Sequence, residues 1–302
     1  MDTPAFPEFK RLTLEDRPTL HPRLWAYQPE TSELTFTNLY LWRSYYQYEW
    51  CLLEGCLILL AHAPDRHAFV LPPVCETTNA DVVYRVLSWM RDALGIERPK
   101  VERADDRLAE ALKDDTRFQV LETRDHFDYV YRTEDLARLA GRRYSAKRNH
   151  INQFRRYYQH EYRPVTPDLV GECIALAEVW CEQRLCEEDL SLQHEFGGIK
   201  AALENLEALE FDGGAILVEG KVQAFALGEI LNRDTAVIHI EKANPDFKGI
   251  YPRMTQAYAE RCLGEVSFLN LEQDLGEPGL RRAKQSYHPD HLVPKYEVSL
   301  AE

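Results

Sequence analysis

The 302-residue sequence has no run of about twenty apolar residues, the length a helix needs to cross a bilayer. Its best stretch, CLLEGCLILLAHA, is broken by Glu54 and Gly55 and reads as two short strands. The opening MDTPAFPEFK has no apolar signal region, so the expectation is a cytoplasmic chain without stable membrane insertion. The seven cysteines form no paired CxxC framework, and an odd, scattered set points to reduced thiols. Cys173, Cys181 and Cys186 raise the question of a metal, but two of them fall on an apolar helical pattern. Buried thiols and no metal site are expected there. G-x-S-x-G, a Walker loop and HExxH are all missing, which removes nucleophile-elbow hydrolases, P-loop nucleotide enzymes and zincin proteases.

Acidic residues are missing from one place in particular. The net charge is −14, yet Arg138 to Arg156 carries seven cations and no aspartate or glutamate, leaving −21 on the other 283 residues. An acidic chain of pI near 5.3 does not coat DNA with its surface, whereas one basic segment can meet phosphates locally. Read as a helix from Ser145 to about His160, with Ser145 as N-cap, the segment puts Lys147 and Arg148 in the first turn. Cations there oppose the helix dipole unless an anion is bound. Ile151, Phe154 and Tyr158 form an apolar stripe at i, i+3 and i+7, and Lys147 lies four residues before Ile151 on that face. Lys147 is therefore expected to point toward the domain interior or a cleft. The plain alternative is a solvated basic face with a snorkelling lysine.

Length suggests two domains of ~150 residues. From Glu161 the patterns alternate legibly: strand EYRPVT, two helices, the hairpin GAILVEG–KVQAFALGEIL, strand TAVIHIEKA, a helix after NPDFKGI, strand EVSFLNLEQ, a short helix and a closing strand HLVPKYEVSL. This β-α-α-β-β-β-α-β-α-β order is that of the GNAT acyltransferase fold. The first half repeats much of it, with strands at WCLLEG and CLILLAHA and one long strand over FQVLETRDHFDYVYR. The expected architecture is α+β: two tandem GNAT-like domains, residues 1–138 and 139–302, each a mixed, mostly antiparallel sheet flanked by helices.

Two further segments could carry chemistry. In HIEKANPDFKGIYPRM, Glu241 ends a strand and could accept a proton from an amine nucleophile. Lys248 and Gly249 then lead into a helix N-terminus where an anionic donor could bind, Gly249 permitting positive φ and close backbone approach. Acyl-coenzyme A loops of this fold read R/Q-x-x-G-x-G/A; FKGIYP has one glycine, and a proline where an amide is needed. In NLEQDLGEPGLRRAKQSYHP, Asn270, Glu272 and Asp274 alternate and would share one strand face. Glu272 or Asp274 could act as base, with Arg281 or Lys284 holding an anionic group. The bland alternative is a structural ion network.

These stretches, with YSAKRNHINQFRR, resemble the signature segments of the DUF2156 family, which is similar to the C-terminal domain of bacterial phosphatidylglycerol lysyltransferases. The resemblance implies two tandem GNAT-like domains related to the Fem-type aminoacyltransferases. It also implies transfer of an aminoacyl group from a charged tRNA to an amine or hydroxyl. Lys147 and Arg148 match the family's basic helix start, and Glu272, Asp274, Gly279 and Lys284 its second signature. The expected function is acyl or aminoacyl transfer, with aminoacyl-tRNA or acyl-coenzyme A as donor. The alternatives are a non-catalytic binder of an anionic metabolite or nucleotide, and an acetyl-coenzyme A N-acetyltransferase.

Overall fold

Local chemistry sets many element boundaries. Asn79 Oδ1 accepts the backbone N–H groups of Asp81 and Val82 and starts a helix at Ala80, which Gly95 ends at φ +69°. Along it Val82, Val83, Val86, Leu87 and Met90 recur at helical spacing, and all five are buried.

The computed structural model describes residues 3–64, 68–262 and 264–301. The chain divides into two compact units. The first runs to Asp128 and takes back Gln273–Gly276 and the chain from Val293, while the second is Tyr129–Glu272 with Glu277–Leu292. In chain order the elements up to that division are β1 (Lys10–Arg11), α1 (Arg17–Tyr27), α2 (Phe36–Tyr46), β2 (Glu49–Leu53), β3 (Cys56–Ala61), β4 (Phe69–Val70), α3 (Ala80–Leu94), β5 (Lys100–Ala104), α4 (Asp106–Leu112) and β6 (Phe118–Glu122). Next come β7 (Asp128–Arg132), α5 (Thr133–Arg138), α6 (Ser145–Tyr157), β8 (His160–Pro164), α7 (Val170–Gln183), α8 (Leu190–Glu204) and α9 (Leu206–Leu209). The chain closes with β9 (Asp212–Val218), β10 (Lys221–Ile230), β11 (Thr235–Ala243), α10 (Ile250–Cys262), β12 (Phe268–Asn270), α11 (Pro278–Gln285), β13 (His291–Val293) and β14 (Tyr296–Leu300).

Among the described residues these strands make two seven-stranded sheets, ordered β1-β2-β3-β4-β5-β14-β6 and β13-β7-β12-β11-β10-β9-β8. Each contains a parallel pair, β4–β5 in the first and β11–β12 in the second, among antiparallel neighbours. The expected α+β duplication is therefore present, but the expected boundary after residue 138 is not where the units divide. FQVLETRDHFDYVYR forms two strands, β6 in the first sheet and β7 in the second, separated by a short 3-10 turn at Arg124–His126. β6 alternates buried or half-buried with exposed residues as far as Leu121, whereas Asp128–Tyr131 of β7 are all buried and only Arg132 is exposed. The closing strand also splits at Pro294: β13 joins the second sheet, and β14 returns to pair with β5 and β6.

Lys295 accompanies that return. Its buried ammonium lies 2.8 and 2.7 Å from the two Glu33 carboxylate oxygens, 2.7 Å from Asp128 and 3.0 Å from Gln273 Oε1. Arg103 Nε adds a second buried cation 3.5 Å from Glu33. The cysteines depart from the expected thiols. A bridge between Leu57 and Val74 sets Cys56 opposite Cys75, and the two form a disulfide. Cys181 and Cys186 are joined across the reversal at Leu185, while Cys51, Cys173 and Cys262 remain free and buried. No helix among the described residues is long and apolar enough to cross a membrane.

Candidate functional site

In the second unit the parallel pair parts company. β11 pairs with β12 only over Thr235–Val237 against Phe268–Asn270, and β11 then continues to Ala243. Glu241 lies on that continuation, paired only on its other side, with Ala226 of β10. Its carboxylate meets the Thr255 hydroxyl one turn into α10, at 3.2 and 3.1 Å from the two oxygens. The same hydroxyl is 3.2 Å from the Tyr251 carbonyl. Thr255 can therefore donate to an ionised Glu241, or accept from a protonated one while donating to Tyr251. Burial pushes the Glu241 carboxyl up to about 7, against the Thr255 hydrogen bond and the charges of Lys284 and Lys147.

Lys147 comes from α6. The helix does start at Ser145, but Tyr144 is its N-cap and ends a short 3-10 turn over Arg142–Tyr144, so Ser145 caps nothing. Ile151 and Phe154 are buried, and Lys147 turns inward on their side, its ammonium 3.6 Å from the centre of the Tyr287 ring. Among the described residues it makes no side-chain hydrogen bond or ion pair. Burial pulls its pKa down to about 8, with the charge of Glu241 resisting. An acid near 7 and an amine near 8 thus face the same region, each able to change charge near neutral pH.

Other expected site residues have different duties. Lys284 donates to the carbonyls of Leu271 and Glu272, the latter at 3.1 Å, so its ammonium is engaged with backbone while its charge acts on Glu241. Glu272 is held by His239 Nδ1 at 2.8 Å, and His239 Nε2 lies 2.9 Å from Glu229. The Glu272 carboxylate is thus committed to the buried His239 ring. Asp274 belongs to the first unit, fully buried, accepting the Gly276 N–H at 2.9 Å with Arg124 at 3.5 Å. The expected shared face of Asn270, Glu272 and Asp274 fails because β12 ends at Asn270, and Glu272 and Leu275 adopt left-handed φ values of +58° and +53°.

The Arg148 guanidinium donates to the Leu139 and Gly141 carbonyls and ties down the turn before α6. Gly249 has the expected positive φ, +91°, but the backbone approaching it is α6: a Cβ there would lie 2.3 Å from the His150 carbonyl oxygen. Lys248 is exposed in the preceding turn, and Arg281 is half-exposed on α11. The sequence reading missed Thr255, Tyr287, His239 and Glu229. The one available signal was a histidine inside the apolar run of VIHIEKA, where a buried polar side chain must have partners. A separate cleft of about 540 Å³, lined by Arg155, Tyr158, His160, Glu161 and Leu217, flanks β8 and β9 and does not include Glu241.

Comparison with known proteins matches residues 26–299 to the family model for the C-terminal part of phosphatidylglycerol lysyltransferase. A conserved protein of unknown function from Bacteroides thetaiotaomicron is 33% identical, with a TM-score of 0.89 over 97% of this chain and 99% of that one. The DUF2156 C-terminal domain of a proposed lysylphosphatidylglycerol synthetase from Agrobacterium fabrum shares 13% identity, with a TM-score of 0.70 over 96% and 93% of the two chains. A tandem GNAT protein of clavulanic acid biosynthesis shares 10%, with a TM-score of 0.51 over 98% of each. The last two likenesses concern fold, and they agree with two tandem GNAT-like units and an acyltransferase-like scaffold. With all but the ends of its sequence matched, the chain belongs to the phosphatidylglycerol lysyltransferase C-terminal family.

Proposed function

We propose that the second unit transfers an aminoacyl group from aminoacyl-tRNA to an amine or hydroxyl acceptor, with Glu241 as proton acceptor. The observation that carries the reading is Glu241 itself. It is a carboxyl near pKa 7, held by Thr255, on the strand that outruns its parallel partner and within the field of Lys147. A base poised near working pH is what proton removal from an attacking nucleophile requires. The acceptor nitrogen or oxygen bonds to the ester carbonyl carbon, its proton goes to Glu241, and the ester bond to the tRNA ribose breaks as that oxygen leaves and is protonated. Lys147, which has no acceptor among the described residues, binds an anionic group of the donor.

Two features favour charged tRNA over acyl-coenzyme A. At the start of α10 the Ile250 and Arg253 amides are already engaged, by Phe247 and Gly249, and Pro252 has no N–H. Exposed Arg142 lies in the turn before α6, and exposed Arg156 neighbours Tyr157, 65% exposed, at the helix's far end, cations and a ring suited to a nucleic-acid backbone and a stacked base.

The test is a transfer assay with aminoacyl-tRNA carrying a labelled amino acid and a panel of amine and hydroxyl acceptors, including phosphatidylglycerol vesicles. Transfer is expected, and Glu241→Gln is expected to slow it by about 10²–10⁴-fold. Thermal protection by acetyl-coenzyme A and none by charged tRNA would overturn the choice of donor.

A further inference from the structure

His239 is the extra residue of a bulge. Leu227 pairs with Ile240 and Gly228 with Ile238, so His239 sits at the register shift between them. Glycine is required at 228, since a Cβ there would lie 2.2 Å from the Val237 carbonyl oxygen. The buried His239 ring spans two carboxylates, 2.8 Å to Glu272 and 2.9 Å to Glu229. With an acceptor at each nitrogen, the ring that satisfies both is the imidazolium. Burial alone would lower its pKa, but the two glutamates outweigh burial and raise it to about 9.

Glu272 is pinned in a conformation that residues with a Cβ avoid, φ +58°. Its N–H donates to Asn270 Oδ1 at 2.7 Å, and its carboxylate is the one His239 grips. In this pose its carbonyl and that of Leu271 converge on the Lys284 ammonium. Three side chains act on Glu241 from the surrounding elements, Thr255 on α10, Lys284 on α11 and Lys147 on α6, while the charge of Glu241 itself acts on Tyr251 of α10 and on Tyr287 just after α11. Of these, Lys284 is the one tied to Glu272.

We infer that His239 is a positioning residue: by gripping the Glu272 carboxylate it fixes the two carbonyls that hold Lys284 in place, and so sets the proton affinity of Glu241. The inference rests on Glu241 as proton acceptor, but its test requires no transfer.

The full chain is labelled with glutamate carrying a ¹³C carboxyl, and the Glu241 signal is identified by its loss in Glu241→Gln. Its titration midpoint is then compared among variants. Lys284→Met is expected to raise the midpoint by about one pH unit or more, since an opposite charge nearby lowers a carboxyl by about that much. His239→Asn is expected to do the same, although it also removes a positive charge directly. Glu272→Ala separates the causes. Direct loss of a negative charge would lower the midpoint, whereas release of Lys284 raises it. A rise in Glu272→Ala supports the inference. A fall or no change there overturns it, as does an unmoved midpoint in Lys284→Met. If His239→Asn does not fold, the sign in Glu272→Ala decides alone. Midpoints that move as expected in a protein that transfers nothing would sustain this inference and overturn the transfer reading.

Discussion

The Lys147 ammonium stands 3.6 Å from the centre of the Tyr287 ring, and the charge of Glu241 resists its deprotonation. A ring face attracts a cation without satisfying any of its N–H donors. The arrangement therefore keeps the lysine in place while leaving its hydrogen bonds for something that arrives.

Lys147 and Arg148 are neighbours in sequence with separable roles. Lys147→Ala is expected to weaken binding of an anionic donor about tenfold or more, since a hydrogen bond to a charged group contributes about 1.5–3 kcal/mol. Arg148→Ala is expected to leave donor affinity nearly unchanged but to lower thermal stability, because its guanidinium serves the Leu139 and Gly141 carbonyls. Binding titrations and melting curves on both variants check this. Equal loss of affinity in the two would place Arg148 at the donor after all.

Glu241→Gln is expected to stabilise the protein at alkaline pH while removing transfer. The folded pKa of about 7 lies above the 4.5 of the free side chain. The stability linked to Glu241 is therefore fully present below pH 4.5 and is lost as pH rises through about 7. At pH 8.5 the ionised carboxylate costs about 3 kcal/mol relative to a neutral amide of the same shape. The variant should melt higher there, at roughly 2–4 °C per kcal/mol, and should match the parent near pH 4.5. Lys147 works in the other direction: its pKa near 8 lies below the ordinary 10.5, so its contribution is lost as pH falls through about 8. Scanning calorimetry at three pH values suffices, and a Gln variant that melts lower at pH 8.5 would contradict a desolvated Glu241.

How much of this was legible depended on whether local pattern or distant partner decided the outcome. The inward turn of Lys147 followed from its spacing to Ile151, a local matter of helical geometry. The hairpin of β9 and β10 came from alternation around Glu219-Gly220, both at positive φ. FQVLETRDHFDYVYR was illegible as two strands because alternation does not say which sheet a strand joins. The shared strand face expected of Asp274 fails for a related reason: alternation has meaning only while the chain remains a strand, and β12 stops at Asn270. His239 escaped notice because its partners, Glu229 and Glu272, lie 10 and 33 residues away. The disulfide partners Cys56 and Cys75 are 19 residues apart and meet only because β3 is bridged at Leu57–Val74.

Gly249→Ala is expected to be damaging for two independent reasons. A φ of +91° suits glycine alone, and the new methyl would meet the His150 carbonyl at 2.3 Å, a backbone atom that cannot swing aside. Relief requires α6 to shift, and α6 carries Lys147. The variant should lose roughly 1–3 kcal/mol of stability and weaken donor binding with it. Gly279→Ala is the control, since nothing lies within 4 Å of its Cβ position, and it should be nearly silent. Equal behaviour of the two alanines in chemical denaturation would refute the packing argument.

Lys295→Met tests the ion cluster of the first unit. The lysine is fully buried, and Glu33 and Asp128 depend on its ammonium within 2.8 Å. Replacing it with an apolar side chain of similar length leaves two buried carboxylates facing one another, with the Arg103 cation 3.5 Å from Glu33 and the neutral Ser32 N–H and hydroxyl donating to Asp128. Removing one partner of a buried ion pair costs about 3–5 kcal/mol, because the stranded charge loses both water and counter-ion. The loss should shrink as pH falls, since burial already pushes Glu33 above the ordinary glutamate value and protonation removes its need for a partner. Adding Glu33→Gln to Lys295→Met should recover part of the loss at neutral pH, a coupling that a double-mutant cycle in urea measures directly. Strict additivity of the two substitutions would mean that Lys295 and Glu33 do not depend on each other, and the cluster would then be packing rather than an ion network.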